Sequence, residues 1–105
     1  MKKYPKLDPF MFYYYLGLAY YDKRNSNTSL KWYKVAETMN SSNFKLMNSI
    51  GITYDEMRDY ENGEKYYLKC IGLNPKYYSA YYNLAILYKN QDRVDDAIIW
   101  YKKAI

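Results

Sequence analysis

The amino-acid sequence predicts an all-α fold, a solenoid of three antiparallel helix pairs. Tyr81, Leu84, Ala85 and Tyr88 recur at i, i+3, i+4 and i+7, the spacing that lines one face of an α-helix. A polar break at residues 90–92 ends that helix. The stripe of the next helix, at i, i+4 and i+7, consists of Ala97, Tyr101 and Ala104. Two such stripes joined by a short turn indicate a helix hairpin.

The same seven positions recur 34 residues earlier, and once more 34 residues before that, with no insertion or deletion. Each position keeps its size class in all three copies. The middle copy holds Met47, Ile50, Gly51, Tyr54, Gly63, Tyr67 and Cys70. The first copy holds Tyr13, Leu16, Gly17, Tyr20, Ser29, Tyr33 and Ala36. A period of this length, made of helix–turn–helix units, indicates a helical solenoid.

The motifs also identify a family. The third copy reads Tyr81-x-x-Leu84-Ala85-x-x-Tyr88, and the second closes with Asn74-Pro75. This pattern resembles the tetratricopeptide repeat over residues 10–105. The resemblance implies a right-handed superhelix whose first helices line a concave surface that binds peptides. The chain departs from the family pattern in that Met47, Gly63 and Ser29 replace an aromatic residue and two alanines, and Ser41 stands where Pro75 stands one copy later.

The repeat predicts the boundaries of the elements. We expect a lead-in over residues 1–9 and repeats over 10–43, 44–77 and 78–105, the last without its closing connector and a capping helix. Helices are expected at about Pro9–Lys23, Phe44–Met57, Tyr60–Ile71, Tyr77–Asn90 and Arg93–Ile105, and a further one, capped by Ser26 or Asn27, ends at about Met39. Short polar residues at the helix starts predict the N-caps. They are Asp8 before Pro9, Ser26 or Asn27, and Ser41 or Ser42.

Composition narrows the classes of function. The chain has no histidine, which removes the commonest general base and metal ligand. Cys70 is the single cysteine, so an internal disulfide is excluded, and its alignment with Ala36 and Ala104 predicts a packing role. We expect no cofactor and no metal. The sequence shows neither a cleavable signal nor a transmembrane segment, and a cytoplasmic location is expected.

Carboxylates cluster near the turn of the second repeat, which raises the question of catalysis. The cluster consists of Asp55, Glu56, Asp59, Glu61 and Glu64. No histidine or nucleophile accompanies them, and their spacing lacks the glycine turn of a calcium loop. Turn carboxylates commonly serve as solvated helix caps, so we expect a protein that is not an enzyme.

Basic residues recur on the second helices of the repeats. They are Lys31, Lys34, Lys65, Lys69, Lys102 and Lys103. With a formal net charge of +5, a basic stripe for nucleic acid or membrane is one interpretation. A solvated helix face is the favoured one, because packing already accounts for the tyrosines that would stack on bases.

A second apolar face on the first helices predicts the binding site. Tyr14, Leu18 and Tyr21 lie at i, i+4 and i+7, on a face roughly 100° from the core stripe. The corresponding residues of the later repeats, with the adjacent Asn83, are Asn48, Ile52, Asp55, Tyr82, Asn83, Ile86 and Lys89. By resemblance these residues line the peptide-binding groove. The alternative is that some of them, Ile52 and Ile86 above all, complete the packing between repeats.

The groove chemistry predicts the kind of partner. Family members that bind chaperones hold a terminal carboxylate with Lys, Arg and Asn on these faces, and here only Asn83 is of a suitable type. An aromatic and weakly charged groove favours a protein or peptide partner with apolar or aromatic side chains. We therefore expect a protein-interaction scaffold.

The end of the last repeat predicts a second, alternative function. Without a polar capping helix, apolar residues would border an open end. These residues are Leu84, Leu87, Ile98, Tyr101 and Ile105. A self-associating structural module that stacks through such ends is the alternative to peptide binding.

Overall fold

Six α-helices make up the secondary structure of the part of the chain that the computed structural model describes, residue 6 and residues 8–105. They are α1 (Pro9–Asp22), α2 (Ser26–Met39), α3 (Phe44–Glu56), α4 (Tyr60–Leu73), α5 (Tyr78–Asn90) and α6 (Val94–Lys103). No strand occurs among these residues, and every predicted helix boundary lies within two residues of the observed one. The all-α prediction is confirmed.

The turn inside each helix pair has the same backbone form. Arg24, Arg58 and Asp92 adopt the left-handed conformation, with φ of 59°, 61° and 60°, and they are one repeat length apart. In the first turn the N–H of Arg24 bonds to the carbonyl of Tyr21, and the N–H of Asn25 bonds to that of Tyr20. Both bonds recur in the other two turns. This pair of hydrogen bonds closes the last turn of the first helix and reverses the chain.

The helix caps differ from the prediction. Asn25, rather than Ser26 or Asn27, caps α2 by accepting a bond from the Thr28 N–H. Asn43, rather than Ser41 or Ser42, caps α3 by accepting from Leu46. Asp8 lies at the N-cap of α1, but its side chain makes no capping bond. The left-handed residue of the turn fixes where the chain can re-enter a helix, so Asn25, directly after Arg24, takes the cap.

The chain divides into two compact units, residues 1–41 and 42–105. In the first unit α1 packs on α2 through a close approach at Gly17. A Cβ on Gly17 would lie only 2.3 Å from the buried ring of Tyr33. The hydroxyl of Ser29 donates to the Gly17 carbonyl over 2.7 Å. Small residues at 17 and 29 therefore allow the two helices to meet.

The second unit contains α3 to α6 and repeats this packing. A Cβ on Gly51 would lie 2.7 Å from the Tyr67 ring, so this glycine is required for space. The core of the unit is formed by Tyr67, Leu84, Leu87, Tyr88 and Ala97. Because Tyr67 belongs to α4 and Leu84 and Leu87 to α5, this core joins the second repeat to the third.

Candidate functional site

The predicted groove residues of the second unit lie on two helices that are joined by side-chain bonds. We call this surface the α3–α5 face: Asn48, Ile52 and Asp55 on α3, and Tyr82, Asn83, Ile86 and Lys89 on α5. The Asn83 amide nitrogen donates to the Asn48 side-chain oxygen over 3.1 Å. Seven residues on, the Asn90 amide donates to the Asp55 carboxylate over 3.2 Å. These two equivalent bonds, about two helical turns apart, hold α3 and α5 in register.

The residues of the α3–α5 face differ in how far they reach the surface. Tyr82 is 53% exposed, and its ring packs 5.7 Å from that of Tyr101. Asn48 is buried, and Ile52 packs against the core of the unit. Ile52 therefore contributes to packing between repeats, as the alternative interpretation held. A ligand would meet Tyr82 and the half-buried Asn83 and Ile86 first.

A polar depression borders the α3–α5 face near the turn between α3 and α4. It encloses about 470 Å³ and is lined by Asp55, Glu56, Arg58, Tyr60 and Asn90. Burial raises the pKa of Asp55, the Asn90 hydrogen bond offsets part of that rise, and the charge of Glu56 adds to it. Sequence reasoning did not assign Arg58, Tyr60 or Asn90 to a site. The 35-residue separation of Asn90 from Asp55, which equals that of Asn83 from Asn48, is the signal that could have identified Asn90.

The predicted groove residues of the first unit lie on α1. Tyr14, Leu18 and Tyr21 are all half-buried there. The Tyr14 ring makes edge contacts with Phe10 at 5.9 Å and with Tyr33 at 5.8 Å. Tyr14 is therefore held by aromatic neighbours in its own unit.

The residues predicted to border an open end separate into two groups. Ile98 and Ile105 on and after α6 are exposed, and Tyr101 is half-buried. Leu84 and Leu87 are fully buried, so the assignment of these two residues to a free surface was wrong. The reason is their direction: a Cβ on Gly63 of α4 would lie 2.8 Å from Leu87, which therefore faces the preceding repeat.

Cys70, possible metal ligands and possible membrane-spanning helices are the remaining candidates for a functional role. Burial raises the pKa of the Cys70 thiol to about 11, so Cys70 is a neutral thiol at physiological pH. Among the described residues, no group of three or more carboxylates, cysteines or histidines could hold a metal ion. Within the same part of the chain, no helix has the length and apolarity needed to cross a bilayer.

Lysines of the second helices lie beside aromatic rings of their own helices. The Lys103 ammonium is 4.2 Å from the Trp100 ring centre, and Lys31 is 5.3 Å from that of Trp32. Lys34 forms an ion pair of 2.8 Å with Glu37. These contacts are those of a solvated helix face.

Comparison with known proteins places the fold. Two models of the tetratricopeptide repeat match, one over residues 44–77 and one over residues 66–99. Together they cover residues 44–99, more than half of the chain. No curated protein sequence matches the chain.

Solved structures match the chain over nearly its full length. A crystal structure of MamA is similar with a TM-score of 0.85 and 24% identity, over 90% of this chain and 56% of that one. The second TPR of Spaghetti (RPAP3), bound to the HSP90 peptide SRMEEVD, gives a TM-score of 0.85 and 14% identity, over 92% and 90%. YrrB, described as a TPR protein with an unusual peptide-binding site, gives 0.88 and 16%, over 94% and 51%. The chain thus spans about half of the MamA and YrrB chains. The predicted solenoid fold is confirmed.

Proposed function

The chain belongs to the tetratricopeptide repeat family, and we propose that it is a non-enzymatic scaffold that binds a peptide segment of a partner on the α3–α5 face. The observation that carries this proposal is the exposed ring of Tyr82 next to the Asn83–Asn48 hydrogen bond. An aromatic surface supplies apolar contact area, and fixed amides supply hydrogen bonds to a peptide backbone. Two of the similar structures carry peptide-binding in their descriptions, which supports the same kind of function here.

The chemistry of the face supports one kind of partner. Tyr82 and Ile86 favour an apolar or aromatic side chain, and Lys89 offers one exposed positive charge at the end of α5. Asp55 and Glu56 lie at the same end as Lys89, so the charges there are mixed. A terminal carboxylate would find few cations on this face. We therefore propose an extended or helical segment with apolar anchors as the ligand.

Affinity measurements on matched variants test the proposal. Peptides are first selected on the wild-type chain from a random displayed library, and the best binder is then titrated against each variant. Tyr82→Ala should weaken binding at least about tenfold, which is a loss of roughly 1.4 kcal/mol. Leu68→Ala is the control, because Leu68 is 41% exposed but lies on α4, outside the face. Circular dichroism verifies that both variants fold.

The control variant should bind as the wild type does. Equal affinity of wild type and Tyr82→Ala, or a selection that yields no binding peptide, would reject the proposal. A binder lost equally in Tyr82→Ala and Leu68→Ala would also reject it, since the loss would not be specific to the α3–α5 face.

Self-association is a second candidate function, favoured by an observation on α6. Val94 and Ile98 on this helix, and Ile105 after it, are all exposed large apolar residues. Such residues in a contiguous patch commonly mark a contact with another protein. Sedimentation velocity over a range of concentrations tests this candidate: growth of the particle size supports it, and a monomer at every concentration rejects it.

A further inference from the structure

The contact between α4 and α5 shows how one repeat covers the next. On α4, Tyr67 is fully buried, and Tyr60 and Ile71 pack against the core cluster that contains it. On α5, Ala80, Leu84, Leu87 and Tyr88 are all buried, and the last three belong to one core cluster with Tyr67. The Tyr88 hydroxyl also bonds to the Glu64 carboxylate of α4, one of the contacts that raise the Tyr88 pKa. This contact serves as an internal template for a junction between repeats.

The α6 side of the template is uncovered. One repeat length after Tyr60, Glu64 and Ile71 stand Val94, Ile98 and Ile105. All three are exposed, whereas Tyr60 and Ile71 are half-buried. We call Val94, Ile98, Tyr101 and Ile105 the α6 face.

Ile98, which stands one repeat length after Glu64, is the most informative residue of the α6 face. Glu64, which is in contact with α5, is charged, but its counterpart Ile98 is apolar although it is 45% exposed. Exposure to water alone would favour the opposite arrangement, with the charge on the uncovered helix. Ile98 therefore gives the α6 face an apolar residue where the α4 surface has a charge.

The residues on the α1 side of the template are exposed or half-buried as well. Two repeat lengths before the buried α5 residues stand Phe12, Leu16, Ala19 and Tyr20, which we call the α1 face. Phe12 and Ala19 are exposed, and Leu16 and Tyr20 are half-buried. Leu16, Ala19 and Tyr20 border a shallow hollow of about 240 Å³ together with Lys23. The chain thus carries the positional counterparts of both halves of the α4–α5 contact on exposed or half-buried surfaces.

We propose that α6 of one copy docks on α1 of a second copy in the arrangement that α4 takes on α5. This inference rests on self-association, the second candidate function, and is independent of peptide binding. In this junction Ile98 meets the ring of Tyr20, in place of the Glu64–Tyr88 hydrogen bond. The occupant is a second copy because its α1 face occupies the repeat positions of the helix surface that covers α4, with Leu16 and Tyr20 in the places of Leu84 and Tyr88. Such a contact is head-to-tail, since each copy offers one α6 face and one α1 face.

Complementation between two variants tests the junction. Ala19→Lys places a charge on the α1 face, and Ile98→Lys places one on the α6 face. Lysine is preferred to glutamate at 98 because a glutamate could restore the bond seen between Glu64 and Tyr88. Each variant alone should associate at least on the order of tenfold more weakly than the wild type in sedimentation velocity. Ile99→Lys is the control, since Ile99 is 51% exposed and corresponds to the solvent-facing Lys65, outside the junction.

Mixing the variants gives the decisive result. The intact α6 face of Ala19→Lys should dock on the intact α1 face of Ile98→Lys, so an equal mixture should form a one-to-one complex and nothing larger. A wild type that stays monomeric would overturn both self-association and this inference. Association that survives Ala19→Lys, or a mixture that remains monomeric while the wild type associates, would overturn the head-to-tail junction alone. Circular dichroism and thermal unfolding show whether each variant is folded.

Discussion

The Asn83 side chain donates a hydrogen bond to the side-chain oxygen of Asn48 over 3.1 Å, across the gap between α5 and α3. Asn48 is buried and Asn83 is half-buried, so the bond lies at the floor of the α3–α5 face. Because the two residues belong to successive repeats, the bond fixes one repeat relative to the next. It also orients the Asn83 amide beside the exposed Tyr82 ring.

Removal of this bond should lower stability. Asn83→Ala leaves the buried Asn48 side chain without the amide it accepts from, and we expect a loss of about 1 kcal/mol in the free energy of unfolding. A double-mutant cycle with Asn48→Ala, measured by urea denaturation, should give a coupling energy of similar size. Asn90→Ala is the control, because its bond to Asp55 is exposed to water and should contribute less. A coupling energy of zero between positions 48 and 83 would contradict the assignment.

Glycine at position 51 is predicted to be irreplaceable by alanine. The new Cβ would lie 2.7 Å from the Tyr67 ring, and that ring is buried. Gly51→Ala should therefore destabilise the fold by roughly 1–3 kcal/mol. Gly72→Ala, at an exposed α4 position with no atom within 4 Å of its Cβ, should stabilise it by about 0.5–1 kcal/mol. Thermal unfolding distinguishes the two, and equal shifts in both variants would show that helix propensity alone governs these sites.

The left-handed turn residues predict a stabilising substitution. Arg24 has φ of 59°, a conformation in which glycine avoids the clash of a Cβ with the backbone. Arg24→Gly should raise the free energy of unfolding by about 1 kcal/mol. Lys23, with φ of −82°, provides the matched neighbour, and Lys23→Gly should lower it. A loss of stability in both variants would mean that Arg24 contributes more through its side chain than its backbone costs.

Stability should fall at alkaline pH because of Cys70. Burial raises the pKa of this thiol to about 11 from its ordinary value of 9.0, so the unfolded chain gives up the proton first. The stabilisation is complete below about pH 9 and is lost as the pH rises through 11. Tyr88, whose pKa burial and Glu64 raise to about 12, continues the decline. Cys70→Ala introduces the alanine that stands at positions 36 and 104. It should remove the first part of the decline in urea midpoints measured from pH 8 to 11. The same slope in wild type and variant would contradict a buried neutral thiol.

The number and order of the helices could be predicted from the sequence, and so could the repeated positions that pack between them. The reason is that the 34-residue period constrains all three copies together. Gly17 and Gly51 illustrate this, since the repeat position that they share required a small residue and the structure places an aromatic ring against each of them. The caps could not be predicted. Asn25, Ser26 and Asn27 can all accept a capping bond, and the choice depends on where the left-handed Arg24 reverses the chain.

The site was harder to predict than the fold, because the spacing of residues along a helix does not show which neighbouring helix covers them. Leu87 was expected at an open end, yet it faces Gly63 of the preceding repeat. Ile52 was expected either in the groove or in the packing between repeats, and it packs on the core. Asn90 was read only as a helix end, although its amide bonds to Asp55. Tyr82 and Asn83 were assigned to the groove from their position on one face of the helix, and their role in binding stays a prediction.

The most direct test of peptide binding is an NMR titration of the isotope-labelled chain with a peptide selected on it. If the α3–α5 face binds the peptide, amide shifts should change most on α3 and α5, around Ser49, Ile52, Tyr82 and Ile86. They should change little around Leu68 on the far side of α4. Changes confined to α4 and α6, with α3 and α5 unaffected, would contradict the account.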